Sequence, residues 1–560
     1  MKHLPSICRP LQYVIGIMLL IVTDTSAQTS FDRIRTIFNA NCTVGCHSGA
    51  SPSAQLDLTG TTEQVFIRLA GTVPLNPAAV SAGYKLVDPG YPERSFLFVK
   101  VAGDIDPVTH LQPPMGGQMP SGQPQMDHDD IEMVRQWILF GADTVSDYVD
   151  PQLLTDYYSG QGSVRMQPLA PPDASEGFQI HYGPFFLEPL SETEYFYKYA
   201  TGLPETVEVN RVNVVINEGG HHTALYRYFP DADTNFAPGL RYVENLLVAA
   251  GVYFTSDIIG QWPNSQDLVL PEGTAFTWME NVVVDLNYHV ANYSPDSIMA
   301  AEWYMNVYTQ PEGTAQQEMI SAPIYYGGED PTTLEIPGNT FDSIYRIDDF
   351  NPDSAYTRYV WSMMAHTHKL GTDYQVWLRN PDGTKGENIY NGHYDPTYSF
   401  DLGAYDWAHP PFRMFNDELL EVNYLNGMIH EATFTNPTPE TVWFGVRTTD
   451  EMYVTYIQYV EEPLNIGIKE QGTIDVNPLK VYPNPSAGDV NLAFDLPDRE
   501  DVRVSILNEL GQEVFQRYER LGPGRVRIRL NRSETRLSEG VYLIRVSSDS
   551  RSYSSRSILF

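Results

Sequence analysis

The sequence predicts a multidomain, mainly β protein with a small helical segment near the N-terminus and a separate β domain at the C-terminus. Three observations support this. Between residues 173 and 462, short β-branched and aromatic runs alternate with Gly, Pro, Asn and Asp clusters, the pattern of antiparallel sandwiches or barrels. Ahead of that region, apolar residues recur at a helical period. After residue 479 the charge balance turns from heavily acidic to nearly even, which marks a separate domain. A chain of 560 residues is long enough for several domains, and its 42% apolar and 19% charged residues make it globular rather than disordered. The formal charge of −36 repels phosphate and anionic lipid, so neither nucleic acid nor a membrane surface is an expected partner.

Residues 1–27 read as a secretory signal. Lys2, His3 and Arg9 precede an apolar core from Leu11 to Val22, and Thr25-Ser26-Ala27 supply small residues before Gln28. That core is too short to span a bilayer, and no later apolar run reaches about 18 residues. An exported protein without an integral span is therefore expected, a retained N-terminal anchor being the alternative. Cys8 departs with the signal, leaving only Cys42 and Cys46. Exported proteins ordinarily use cysteine for long-range disulfides, so a pair this close in sequence points to another purpose.

Residues 28–145 supply that purpose. Cys42-Thr43-Val44-Gly45-Cys46-His47 joins two thiols to an imidazole, the combination that holds c-type haem. The spacer is three residues where two is usual. The stretch resembles the cytochrome c family, with Phe31 to Phe38 as its opening helix and Asp129 to Ile138 as its closing helix, apolar at 131, 134, 137 and 138. The resemblance implies one covalent haem on Cys42 and Cys46, with His47 and Met119 as axial iron ligands. Met119 lies in Gly116-Gly117-Gln118-Met119-Pro120, and Met115 and Met126 compete with it. A tight Cys42–Cys46 disulfide and a zinc site with His47 are the alternatives. Residues 146–172, rich in Asp, Tyr, Gln and Pro without a clear period, read as a linker.

In the β region the histidines are grouped. Met363-Met364-Ala365-His366-Thr367-His368 continues a strand-like run, and residues two apart on a strand share a face. Two imidazoles side by side are half of a metal site for copper, zinc, iron or nickel, or else polar residues on a solvated face. Upstream, Gly219-Gly220-His221-His222 adjoins the strand Val207 to Ile216, and His289 closes the strand Val282 to Val290. Adjacent histidines face opposite ways on a regular strand, so His221 and His222 can share a metal only where the strand bulges, ends or twists. The preceding Gly-Gly makes such a distortion inexpensive. His181, His393, His409 and His430 are expected in solvated loops or at strand edges.

An adjacent His pair, a distant His-bearing strand, His-Thr-His and then Thr448-Thr449-Asp450-Glu451-Met452 follow one another in the order of the copper type II, ascorbate-dependent monooxygenases, the peptidylglycine α-hydroxylating and dopamine β-monooxygenase-like family. Residues 173–462 resemble that family. The resemblance implies two antiparallel jelly-roll sandwiches, residues 173–318 with a first copper on His221, His222 and His289, and residues 319–462 with a second copper on His366, His368 and Met452. It also implies that the first copper passes an electron and that O2 and substrate meet at the second. A thioether beside two imidazoles suits Cu(I). Tyr456 matches a substrate-facing Tyr, and packing is its other reading. Two departures stand out. The segment has no cysteine to brace it, and Met364 replaces the Arg that grips a substrate carboxylate, so a peptidylglycine substrate is not expected.

Residues 463–478 read as a second linker. In 479–560, Val481-Tyr482-Pro483-Asn484-Pro485, Asn508 to Val514 and Gly540 to Val546 resemble the C-terminal sorting domain of the type IX secretion system, with an immunoglobulin-like sandwich fold. A plain binding or spacing sandwich is the alternative. The resemblance implies a Bacteroidota-type source, passage across the outer membrane by that machinery, and a secreted or cell-surface product. Taken together, the expectation is a secreted copper-dependent monooxygenase. It would hydroxylate a C–H bond of a small or peptide-like organic substrate with O2, with electrons relayed by the fused haem from ascorbate, another external reductant or a redox partner. The alternative is a non-catalytic copper-binding, extracellular electron-transfer cytochrome.

Overall fold

The computed structural model describes residues 28–103, 105–106, 111–228, 238–242, 256–262, 265–328, 330–353, 356–395, 400–401, 405–408, 410–416, 418–445, 447, 449–464, 479–482, 489–496, 499–508, 513–538, 540–548 and 552–559. The side chains of 221–222, 256–262, 394–395, 400–401, 495 and 552–559 lie outside that description. So do the signal read at 1–27, His409 and most of the linker read at 463–478. The chain divides into two compact units at residue 465.

The first unit opens with helices α1 (Ser30–Asn41), α2 (Thr62–Leu69), α3 (Pro77–Ser81), α4 (Phe96–Val101), α5 (His128–Leu139) and α6 (Pro151–Asp156). Thr29 starts α1 through a capping box with Asp32, satisfying N–H groups that have no partner within the helix. Phe31, Ile34, Ile37 and Phe38 bury one face of α1, and Phe31 stacks on Trp137 of α5 at 4.9 Å. Helix α5 is buried on all sides. Its polar face, Glu132, Arg135 and Gln136, meets the β region, with Gln136 Nε2 donating to the Pro184 carbonyl at 2.6 Å.

Eleven strands follow: β1 (Gly177–Leu187), β2 (Glu192–Ala200), β3 (Val207–Ile216), β4 (Gly220–Tyr228), β5 (Gly239–Tyr242), β6 (Ser256–Trp262), β7 (Gln266–Val269), β8 (Thr274–Trp278), β9 (Val283–Ala291), β10 (Met299–Pro311) and β11 (Gln317–Glu318). One sheet runs β1-β10-β3-β8-β11 with β7 also on β3, and the other runs β5-β2-β9-β4-β6. The next thirteen are β12 (Ile320–Tyr325), β13 (Glu335–Ile336), β14 (Thr340–Asp349), β15 (Thr357–Thr367), β16 (Gly371–Arg379), β17 (Lys385–Asn391), β18 (Tyr394–Asp395), β19 (Phe400–Asp401), β20 (Phe412–Met414), β21 (Leu420–Asn423), β22 (Met428–Asn436), β23 (Val442–Trp443) and β24 (Tyr453–Val460). They build a β12-β24-β15-β20 sheet, with β21 also on β15, and a β14-β22-β16-β17 sheet. Among the described residues no sheet closes into a barrel, so the open, sandwich-like alternative is the one adopted.

Three readings need correction. Residues 146–172 hold α6, and Arg165 there reaches Glu302 at 2.7 Å and the Ile105 carbonyl at 2.8 Å, so the stretch is a packed strap rather than a bare linker. His181 is not solvated: it is buried in β1 between Glu93 and Glu302. His430 is fully buried in β22, bonded to Thr455 Oγ1 at 2.7 Å. Both histidines have partners distant in sequence, which no local pattern reveals.

The second unit pairs Lys480–Tyr482, Val490–Leu496 and Gly524–Leu530 in one sheet. Glu513–Leu521, Glu500–Leu507, Gly540–Ser547 and Ser552–Leu559 form another. Its own core centres on Leu492, Val502, Val504 and Ile506.

Candidate functional site

The helical segment contains a cavity of about 1110 Å³, slightly above the roughly 300–1,000 Å³ usual for cofactor pockets. Cys42, Cys46 and His47 line it, as do Met115 and Met119. Both cysteines are free thiols, so the disulfide alternative is not formed. Burial, with Cys46 and Asp130 nearby, pushes the Cys42 thiol up to about 11. Gly45 takes φ +76°, the left-handed region open to glycine, and so absorbs the extra residue of the spacer. The His47 amide then closes the loop on the Cys42 carbonyl at 3.0 Å. His47 Nδ1 lies 3.1 Å from the Leu56 carbonyl. A carbonyl only accepts, so Nδ1 carries the proton and the lone pair of the neutral ring sits on Nε2. Two thiols, a preset imidazole and thioethers around one large cavity fit a c-type haem. Lys100 holds the methionine loop, its carbonyl accepting from the Met119 amide at 2.7 Å and its Nζ donating to the Met115 carbonyl at 3.3 Å. Met126 is buried and does not line the cavity.

In the first sandwich, the ladder between β4 and β9 slips between Gly220 and His222. Gly220 faces Val290 and His222 faces His289, leaving His221 as the bulged residue. The distortion that an adjacent His pair requires is therefore present in the backbone. A Cβ on Gly219 would stand 1.9 Å from the Ala291 carbonyl oxygen, so only glycine permits the approach. The side chains of His221 and His222 are outside the described residues. His289 is fully buried, and its Nε2 donates to Glu192 Oε1 at 2.7 Å, which leaves the lone pair of the neutral ring on Nδ1. Glu192 Oε2 accepts from Lys369 Nζ at 3.1 Å, and the hydrogen bond to His289, helped by Lys369 and opposed by burial, lowers the carboxyl to about 2. Trp407 stacks on His289 at 6.4 Å, and Lys369 lies over the same indole at 5.8 Å. These contacts join the two sandwiches. No sequence signal marks Glu192, Lys369 or Trp407.

In the second sandwich, His366 is on β15 and His368 stands just past its end, both nearly fully buried. Their ring centroids are 5.2 Å apart, of the order expected for two imidazoles each about 2 Å from a shared metal. Burial holds both neutral: His366 is well below its ordinary value, and His368 falls to about 4. The β15–β24 register pairs His366 with Val454 and ends by pairing Thr367 with Tyr453, next to which stand His368 and Met452, the latter 3% exposed. His368 Nδ1 donates to the Asp450 carbonyl at 3.0 Å, leaving Nε2 as the lone-pair nitrogen. Two neutral imidazoles beside a buried thioether fit a soft metal such as Cu(I). Tyr456 packs edge-on to His366 at 6.2 Å, and buried Met364 faces Tyr456 across the ladder. Among the described residues, no three His, Cys, Asp or Glu side chains gather closely enough to hold a metal ion.

Residues 480–559 match the family model described as the secretion system C-terminal sorting domain. The chain therefore carries a type IX secretion tail, which directs it to the cell surface or the medium and makes that machinery a partner. No curated protein matches the chain. Among solved structures, a Parabacteroides merdae β-glucuronidase is similar at 10% identity over 46% of this chain and 31% of that one, with a TM-score of 0.14. An FMN-binding β-glucuronidase from Facaelibacterium prausnitzii L2-6 is similar at 12% identity over 43% and 39%, with a TM-score of 0.14. The infectious bursal disease virus VP2 subviral particle is similar at 11% identity over 54% and 76%, with a TM-score of 0.16. The chain spans 31% to 39% of the length of the first glucuronidases it matches. At such TM-scores these likenesses carry no argument. Among the described residues, no helix is long and apolar enough to cross a membrane.

Proposed function

We propose that the chain is a secreted copper-dependent monooxygenase that hydroxylates a C–H bond of an organic substrate with O2, its electrons relayed by a c-type haem. The observation that carries the proposal is the buried pair His366 and His368, 5.2 Å apart, at the end of the β15–β24 ladder where buried Met452 precedes Tyr453. When bound, copper and haem supply one-electron chemistry that no side chain here provides. His366, His368 and Met452 hold the second copper. His221, His222 and His289 hold the first, with Glu192 orienting His289. His47 and Met119 would supply ligands to the haem iron, and Cys42 and Cys46 would tether the haem. Tyr456 and Met364 give the second site an uncharged wall, which suits a neutral substrate better than a carboxylate-terminated peptide.

The test is metal and haem content with O2 uptake on the secreted protein. Two copper ions and one haem per chain are expected, with O2 uptake that depends on an organic substrate. His366→Ala should abolish that uptake and leave the haem spectrum intact; unchanged turnover refutes the assignment. Stopped-flow reduction of the haem should accelerate reduction of the first copper, and no acceleration removes the relay. Copper and haem bound without any O2 uptake would favour the non-catalytic electron-transfer reading.

A further inference from the structure

We infer that Glu451 is a positioning residue for the second metal site, its buried carboxylate fixing His368 and Met452 by gathering three peptide N–H groups. The inference rests on the metal-site reading above. Glu451 is fully buried. Its Oε1 accepts from the His368 amide at 2.5 Å and from the Met452 amide at 2.8 Å, and its Oε2 accepts from the Leu370 amide at 3.0 Å. These amides lie just beyond the last ladder pair, Thr367 with Tyr453, where regular strand pairing no longer supplies acceptors. One carboxylate therefore takes over from the ladder and ties the ends of β15 and β24 together at the two residues that carry predicted donors.

The carboxylate is itself anchored. The Glu451 amide donates to the Trp443 carbonyl at 3.0 Å, and its carbonyl accepts from the Gly445 amide at 3.2 Å. The adjoining Asp450 carbonyl holds His368 Nδ1. Backbone and ring of His368 are thus set by two consecutive residues of one segment. The side chain turns two oxygens toward three N–H groups, whereas an amide would turn an NH2 toward one of them. The carboxyl oxygens hold the backbone amides of His368 and Met452, so the residue acts through the ligands' backbone.

The experiment compares full-length, copper-loaded wild type with Glu451→Gln, reading Cu(I) affinity by chelator competition and sulfur ligation by X-ray absorption. The haem spectrum serves as the control for folding. Glu451→Gln should weaken the second copper roughly 10–100-fold, the usual effect of removing an outer-shell partner, and lose the sulfur scatterer while the first copper and haem stay unchanged. A variant indistinguishable from a wild type that has sulfur-ligated copper overturns this inference alone. A wild type without sulfur-ligated copper overturns the metal-site reading and this inference with it. Hydrogen exchange on wild type needs no variant: the amides of 368, 370 and 452 should be as protected without copper as with it, and protection that appears only with copper overturns the inference.

Discussion

His181 is held between Glu93 at 2.8 Å and Glu302 at 3.3 Å. Burial works against its charge, but the hydrogen bonds to Glu302 and Glu93 outweigh it and push the ring up to about 9. Since this lies above the unfolded value of about 6.5, the stabilisation is complete below about pH 6.5 and is lost as pH rises through about 9. The difference corresponds to roughly 3 kcal/mol. Thermal melts of wild type should therefore fall between pH 7 and 10, and His181→Gln should lower the melting temperature at pH 7 and flatten that slope. At the second site, Met452→Leu keeps the buried volume and should change stability by less than about 1.5 kcal/mol. It should still weaken Cu(I) binding, checked by denaturation and chelator competition on the same sample. That His366 and His368 stand together was readable because His366-Thr367-His368 needs only the two-residue strand period. Glu192 and Lys369 were not readable, since 177 residues separate the partners of that ion pair.

Period and punctuation made many elements legible. Val207 to Ile216 is read from the sequence and found as β3 over the same residues, while the strand-like run that Met363 to His368 continues is found as β15, Thr357–Thr367. The β4–β9 bulge was legible as a requirement, because two adjacent histidines cannot share one face of a regular strand. Which residue bulges is set by register with β9, to which sequence alone gives no access. Gly219→Ala tests this element. Its Cβ would meet the Ala291 carbonyl oxygen at 1.9 Å, so the variant should lose about 1–3 kcal/mol of stability. It should also lose first-site copper before second-site copper, measured by metal content after partial chelation. The strap over 146–172 escaped notice because its turns are short and its anchor, Glu302, lies in β10.

In the first unit a large core runs from Phe31 and Trp137 through Tyr182, Tyr197 and Trp303 into Trp361 and Tyr456, and a second cluster centres on Tyr374, Tyr390 and Phe434. The helical segment and the sandwiches therefore share apolar packing, reinforced by polar pins such as Tyr197 Oη donating to the Gly90 carbonyl at 2.9 Å. The tail has a separate core. Calorimetry is expected to resolve two transitions, one for each unit, and a chain ending at residue 465 should retain the first transition unchanged. The tail was legible from short motifs because strand-and-turn chemistry is local, whereas the packing of α5 against the sandwich depends on contacts such as Gln136 with Pro184 that no local pattern encodes. One device recurs in distant parts of the unit: the rings of His47 and His368 are each set by a peptide carbonyl, those of Leu56 and Asp450. Every amino acid carries that acceptor. Side-chain exchange at 56 or 450 should leave the ring setting intact, so alanine scanning and comparison of side chains among homologues would both pass over these partners. Replacing the peptide bond with an ester is the kind of chemical edit that would expose them.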